Sequence, residues 1–326
     1  MRTQKLKRFN PVLIGFLVFI LSGMLVACEP AESSQIPNDP IDQPVFPITV
    51  QDQAGRTITF NEAPQKIISL SPSNTEIIYA LGLEDRLYGV TTFCNYPPAA
   101  QDKPKIGGFS TADIERITEI QPDLILASNI HLGKNLVSEL ENRGYRVLVL
   151  RPINLDEVIE AFELVSRITG QTEETTALVT DLKNRINTVT SLTAGLTDAQ
   201  KKRVFYVTTW SPIYSVGSDT LIHNLIVSAG GINIYQELSG TISVGFETII
   251  DKNPQVMVAG GQMGGAMPAY DALKTDSLLA TVEARVTGQI YQINADLVNR
   301  YGPRVVDALE QLAQMIHPEL FGPLAQ

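Results

Sequence analysis

The hydrophobic pattern of the chain switches repeatedly between two periods. Compact runs rich in Val, Ile and Leu, at residues 66–70, 86–90, 123–127, 146–150, 203–208, 213–216, 255–259 and 289–293, read as buried β-strands. Between them, apolar positions recur at helical spacing over 75–81, 111–120, 136–142, 220–229 and 277–284. Strand and helix alternating in this way predict α/β architecture, with mainly parallel sheets covered on both faces.

Part of the pattern occurs twice. Residues 114–127 read IERITEIQPDLILA and residues 246–259 read FETIIDKNPQVMVA. Glu115 pairs with Glu247, Ile117 with Ile249, Pro122 with Pro254 and Ala127 with Ala259, each at an offset of 132 without a gap. Each copy predicts a short helix, a proline-set turn and a buried strand, so two similar Rossmann-like lobes are expected, at 48–152 and 201–326.

The connection, residues 153–200, is helical. Asn154 and Glu157 form a variant capping box. Leu155, Val158, Ile159, Phe162, Val165 and Ile168 then make one apolar face, and Gly170 stops the helix. A second helix over 173–192 keeps Leu178, Leu182, Ile186 and Val189 on one side and extends roughly 30 Å at 1.5 Å per residue. A strut of that length predicts lobes that rock modestly rather than clamp shut.

Residues 1–27 have a different logic. Arg2, Lys5, Lys7 and Arg8 precede an uncharged run from Val12 to Ala27, whose 16 residues are too few for a spanning helix. The layout predicts a secretory signal rather than a retained membrane anchor. Leu25-Val26-Ala27-Cys28 resembles the bacterial lipobox, which implies cleavage before Cys28 and lipidation of its thiol. Residues 28–47, with five prolines and several acids, then form a disordered tether. The expected location is extracytoplasmic, with the lipid holding the chain at the cell membrane.

Composition narrows the function. Among 326 residues, 44% are hydrophobic and 18% charged, which fits a folded chain. The net charge of −10 becomes −14 without the four basic residues of the first 27, and a surface that acidic argues against nucleic acid. Two cysteines make no disulfide scaffold, and with Cys28 lipidated Cys94 is left as a free thiol, best read as a small buried residue. His131, His223 and His317 lie too far apart in sequence to suggest a histidine-cluster metal site.

Two lobes, a helical strut and a lipid anchor resemble the substrate-binding proteins of ABC importers for cobalamin, ferric siderophores and haem. The similarity runs from about Ile48 to the end. It is carried by IISLSPSNTEIIYALG at 67–82, VTTFCNYPP at 90–98, residues 106–127 and NADLVNRYGPR at 294–304, with the cobalamin-binding branch the most similar. The resemblance implies a helical-backbone periplasmic binding protein fold and a ligand held between the lobes. It further implies a monomer that delivers a corrinoid to a permease dimer with its ATPase subunits, and no resident cofactor. On this reading Tyr96 is the pocket tyrosine before the paired prolines, Phe109 replaces a tryptophan, and Asp296 and Arg300 are an acid and a base at the rim. Glu115 and Glu247 become permease-docking acids, one per lobe. The chain departs from the pattern around Thr241 and Ile242, where a second-lobe tryptophan is missing, and in the longer loop at 260–270.

Residue chemistry adds to this. Tyr96, Phe109, Trp210 and Tyr214 are expected in loops after strands, where aromatic faces supply contact area for a large flat ligand. Asp296 and Arg300 read on their own as a surface i,i+4 pair; with the resemblance they become ligand hydrogen-bonders. His131 is either an exposed loop residue or an axial ligand to a metal centre carried by the cargo. Met263 and Met267 belong to a lid or only to a flexible loop. Basic groups for an anionic chelate are few (Arg300, Arg304, Lys134), which favours a near-neutral corrinoid over a siderophore or haem. A lipid-anchored enzyme is the alternative class, though no G-x-S-x-G, H-E-x-x-H, P-loop or G-x-G-x-x-G occurs. A purely structural lipoprotein is a third.

Overall fold

Seven of the eight buried runs become strands of two separate four-stranded sheets, and the run at 213–216 joins a smaller one. The computed structural model describes residues 44–260 and 268–324, all within one compact unit, Gln35–Gln326. The other unit, Met1–Ser34, lies outside the described residues, and with it Cys28 and the expected signal segment. Among the described residues no helix is long and apolar enough to cross a membrane.

The first lobe opens with a hairpin, β1 (Ile48–Gln51) and β2 (Thr57–Phe60). Then follow β3 (Ile67–Ser69), α1 (Pro72–Ala80), β4 (Leu87–Val90), α2 (Ile114–Ile120), β5 (Leu124–Ser128), α3 (Asn129–Gly133), α4 (Leu136–Asn142) and β6 (Val147–Leu150). Its sheet is parallel in the order β4-β3-β5-β6. Helices α5 (Leu155–Thr169) and α6 (Thr172–Thr193) lead away. The second lobe contains β7 (Lys202–Val207), β8 (Thr209–Trp210), β9 (Ile213–Val216), α7 (Leu221–Ser228), β10 (Gly231–Asn233), β11 (Thr241–Ser243), α8 (Phe246–Lys252) and β12 (Val256–Gly260). It continues with α9 (Pro268–Thr275), α10 (Glu283–Thr287), β13 (Ile290–Ile293), α11 (Ala295–Asn299), α12 (Val305–Ile316) and α13 (Pro318–Phe321). Its main sheet is parallel in the order β10-β7-β12-β13, and β11, β9 and β8 form a small antiparallel sheet beside it. The α/β fold expected from the alternation is what the chain adopts.

The internal echo extends to backbone detail. Helix α8 and strand β12 occupy the positions of α2 and β5 shifted by 132, and both helices end on a left-handed residue, Gln121 (φ 52°) and Asn253 (φ 41°). The two sheets also place the echoed strand in the same third slot.

Side chains along a strand alternate between faces, and here the faces feed different cores. Ile68, Ile125 and Val149 enter a core confined to the first lobe, whereas Phe205, Val207 and Met257 enter one confined to the second. Their neighbours Ile67, Leu126, Leu148, Val204, Tyr206 and Val258 all enter a third core that is shared. Helices α5, α6 and α12 complete that core with Phe162, Ile186 and Leu309. The strut thus does more than space the lobes: it is fused to the inner face of both sheets.

Capping explains the helix bounds. Asn154 accepts from the Glu157 amide at 2.8 Å and Gly170 ends α5 at φ 79°. The Glu157 carboxylate reaches back to the Ile153 amide at 2.9 Å, one residue before the cap. The helix expected over 277–284 breaks in two, because Asp276 caps a 3-10 turn at Ser277–Leu279 and Val282 returns to extended backbone.

Candidate functional site

Helix α1 starts where β3 ends, so its first turn faces the gap between the lobes. Ser71 caps it, accepting from the Asn74 amide at 3.3 Å, and Pro72 stands at its first position. Ser71 and Ser73 form one wall of a cleft of about 520 Å³. Phe93, Gly108, Phe109 and Ser128 of the first lobe continue the wall, and Asn299, Arg300 and Tyr301 of the second lobe close it. Aromatic faces plus hydroxyls and one guanidinium make a surface for a large, mainly apolar ligand with polar fringes.

The segment after α11 is bound tightly to the first lobe. Tyr301 Oη lies 3.1 Å from Asn74 Oδ1 and 3.0 Å from the Leu150 carbonyl. Arg300 donates to Asn95 Oδ1 at 2.8 Å and to Glu76 Oε1 at 3.2 Å. Arg304 takes both oxygens of the same carboxylate, through Nε at 3.0 Å and Nη2 at 2.6 Å. Its guanidinium also lies 3.7 Å from the centre of the Tyr96 ring. Burial works against the charge on Arg304, but the hydrogen bonds and attraction of Glu76 outweigh it and hold the group protonated. Gly302 permits the approach, because a Cβ there would stand 2.7 Å from Glu76 Oε2.

Asp296 and Arg300 form the expected pair, at 2.8 Å, yet it is not a surface pair, since Arg300 is 3% exposed. Two polar atoms of this pair remain unmatched: Arg300 Nε and Asp296 Oδ1 are buried without a hydrogen-bond partner.

The other candidates divide. Phe109 lines the cleft; Tyr96 is not among its described lining and lies half exposed beneath Arg304. Trp210 stands on strand β8 rather than in a loop, because 208–216 folds into a tight antiparallel turn, and Tyr214 stands on β9, the strand expected at 213–216, and so not in a loop either. Trp210 packs edge to face on Phe246 at 5.8 Å, against the second lobe's core. Neither residue is among the described lining of the cleft. His131 is neither exposed nor available as a ligand. The Ser128 amide donates to its Nδ1 at 2.9 Å, so Nε2 carries the proton and donates to the Phe109 carbonyl at 2.8 Å. Burial lowers its pKa and keeps the ring neutral. His131 therefore serves as a brace that sets the Phe109 loop. Cys94 is buried, with its Sγ 3.1 Å from Thr75 Oγ1 and 3.2 Å from Thr91 Oγ1.

Glu115 and Glu247 are exposed in the first turns of α2 and α8. Each is followed four residues later by a second exposed acid, Glu119 and Asp251. Met263 and Met267 lie outside the described residues.

Residues 67–297 match the family described as periplasmic binding protein. This chain belongs to that family. It is 30% identical to an uncharacterised ABC transporter substrate-binding lipoprotein of Bacillus subtilis, over 85% of this chain and 88% of the relative. A cobalamin-binding protein of Halobacterium salinarum is 28% identical over 83% of this chain and 74% of its own length. Among solved structures, the periplasmic vitamin B12 binding protein of Vibrio cholerae superposes with a TM-score of 0.69 at 27% identity, covering 78% of this chain and 96% of that one. As a periplasmic binding protein, the chain belongs to a family of binding proteins rather than enzymes.

Glu76, Asn74, Asn95 and Tyr301 are the site residues that sequence reasoning passed over. They stand inside the SPSNTE, NYPP and NRYGPR motifs that carried the resemblance. A glutamate between Thr75 and Ile77 on an otherwise buried helix was the available signal.

Proposed function

We propose that this periplasmic binding protein is the extracytoplasmic component of an ABC importer and captures a corrinoid of the cobalamin type in the cleft between its lobes. The observation that carries the reading is the lining of the cleft. Phe93 and Phe109 supply aromatic faces, while Ser71, Ser73, Ser128 and Asn299 supply neutral polar groups beside a single guanidinium, that of Arg300. Such a mixture suits a flat, mainly apolar ligand whose fringe is amide rather than carboxylate. A corrinoid is a flat, near-neutral ring fringed with primary carboxamides. Phe109 and Phe93 give its face aromatic contact, the exposed Tyr96 ring beyond them adds a further one, and the open cleft takes one edge of the ring while the rest lies over the groove. The relatives named for cobalamin and vitamin B12 support the same cargo.

Lipidation of Cys28 anchors the chain, and Glu115 and Glu247 dock one lobe each on a permease dimer served by ATPase subunits. Two equivalent acids on the echoed helices α2 and α8 support that geometry. The decisive experiment is a titration of the purified protein with cyanocobalamin, haemin and a ferric siderophore, followed by visible absorption and calorimetry. Tight, saturable binding of cyanocobalamin alone is expected. Binding of haemin or the ferric chelate in preference to it overturns the reading.

A further inference from the structure

Two guanidiniums share one carboxylate at the groove, and their charge decides what the groove can accept. Arg300 is the one formally charged side chain among the described cleft-lining residues, and Arg304 stands behind it on the same Glu76 and over the Tyr96 ring. Left alone, such a pair would favour carboxylate or catecholate ligands. It is not left alone. Glu76, 2% exposed, spends both carboxylate oxygens on the two arginines, and Asp296 takes the remaining face of Arg300. The four groups sum to zero formal charge, so Arg300 enters the cleft wall as part of a neutral cluster.

We infer that Glu76 is a specificity-determining residue: buried behind Arg300 and Arg304, it cancels their charge so that the cleft selects a neutral, amide-bearing ligand over an anionic one. Glu76 acts through the arginines and is a positioning residue. This inference rests on the corrinoid reading above, but the charge logic holds for any ligand in the same cleft. A full charge at 7–10 Å in a partly desolvated groove changes the affinity of an anionic ligand by roughly tenfold.

The test compares cyanocobalamin, which is neutral, with the monocarboxylic acid made by hydrolysing one of its side-chain amides, on the mature chain by calorimetry. The wild-type protein should prefer the amide. Glu76→Gln should shift the ratio of dissociation constants about tenfold towards the acid, and Glu76→Asp, which keeps the charge but shortens the side chain, should leave the ratio within twofold of wild type. A purely structural Glu76 would change both affinities together in each variant and leave the ratio alone, and that outcome overturns the inference. If the wild-type protein binds no corrinoid, the cargo assignment fails by itself. The same ratio is then read with haemin and its dimethyl ester under the same criterion, and failure of both pairs to bind overturns both readings.

Discussion

Glu76 of the first lobe and Arg304 of the second form a bidentate pair, with hydrogen bonds of 3.0 and 2.6 Å, although 228 residues separate them in sequence. The lobes are therefore clasped at the groove as well as fused along the strut.

Truncating the acid leaves the two guanidiniums without their main counter-charge. Glu76→Ala should destabilise the protein by about 3–5 kcal/mol, the usual cost of breaking a buried pair from one side. Urea melts followed by far-ultraviolet dichroism measure it. A loss below 1 kcal/mol would mean that water replaces the carboxylate freely.

Because Phe162 stands in the core common to both sheets, its loss should be felt by the whole molecule. Phe162→Ala is expected to cost about 3–5 kcal/mol. Calorimetry should show one cooperative transition in both proteins, and two resolved transitions would contradict a shared core.

Tyr96→Ala should weaken cyanocobalamin binding by about 1–3 kcal/mol, since it removes an aromatic face and the platform under Arg304. Trp210→Ala, despite the sequence expectation of a ligand contact, should act mainly on stability, because its ring is spent on Phe246. Thermal melts and calorimetry on both variants separate the two effects.

His131 gives the stability a pH dependence of definite sign. Its folded pKa is pushed down by burial, so the unfolded chain binds the extra proton. The contribution is complete above about pH 6.5 and is lost as pH falls through the window below it. His223, also lowered by burial, adds in the same direction. The melting temperature should drop between pH 7 and pH 5, and His131→Gln should flatten that slope.

Reversing both of the acids proposed to dock on the permease, Glu115→Lys with Glu247→Lys, should abolish uptake in cells while leaving cyanocobalamin affinity within twofold. Glu119 and Asp251 repeat the same spacing on both helices, so single reversals should cost less than the double change. Normal uptake by the double variant would remove the docking role.

Much of the scaffold was legible because it is written locally. The strand runs at 123–127 and 255–259 lie within one residue of β5 and β12, and Asn154 and Gly170 bound α5 as their chemistry requires. Helix α12 was equally legible, through Val305, Leu309, Leu312 and Ile316 at helical spacing, and was nonetheless overlooked. The hairpin of β1 and β2 was harder. Its short strands are half exposed, and it is held through Asp52, whose carboxylate accepts from the Val149 amide at 3.0 Å, 97 residues away. At the site, local reading failed for the same reason. His131 looked like a loop residue because its partner is the backbone of Phe109, and Trp210 looked available because Phe246 lies far off in sequence. Motif resemblance located the right segments, yet only the fold shows that Glu76 belongs to two arginines from the opposite lobe.

The common core has a mechanical result. Wide gaping would drag Val204 and Leu148 out from beneath the same helices at once, exposing apolar surface at about 25 cal/mol per Å² with nothing to replace it. Such a body behaves as an open cup and not as a snapping trap. Cargo escapes from it at a pace set by the contacts of the rim, and quick unloading needs a push from whatever it leans against.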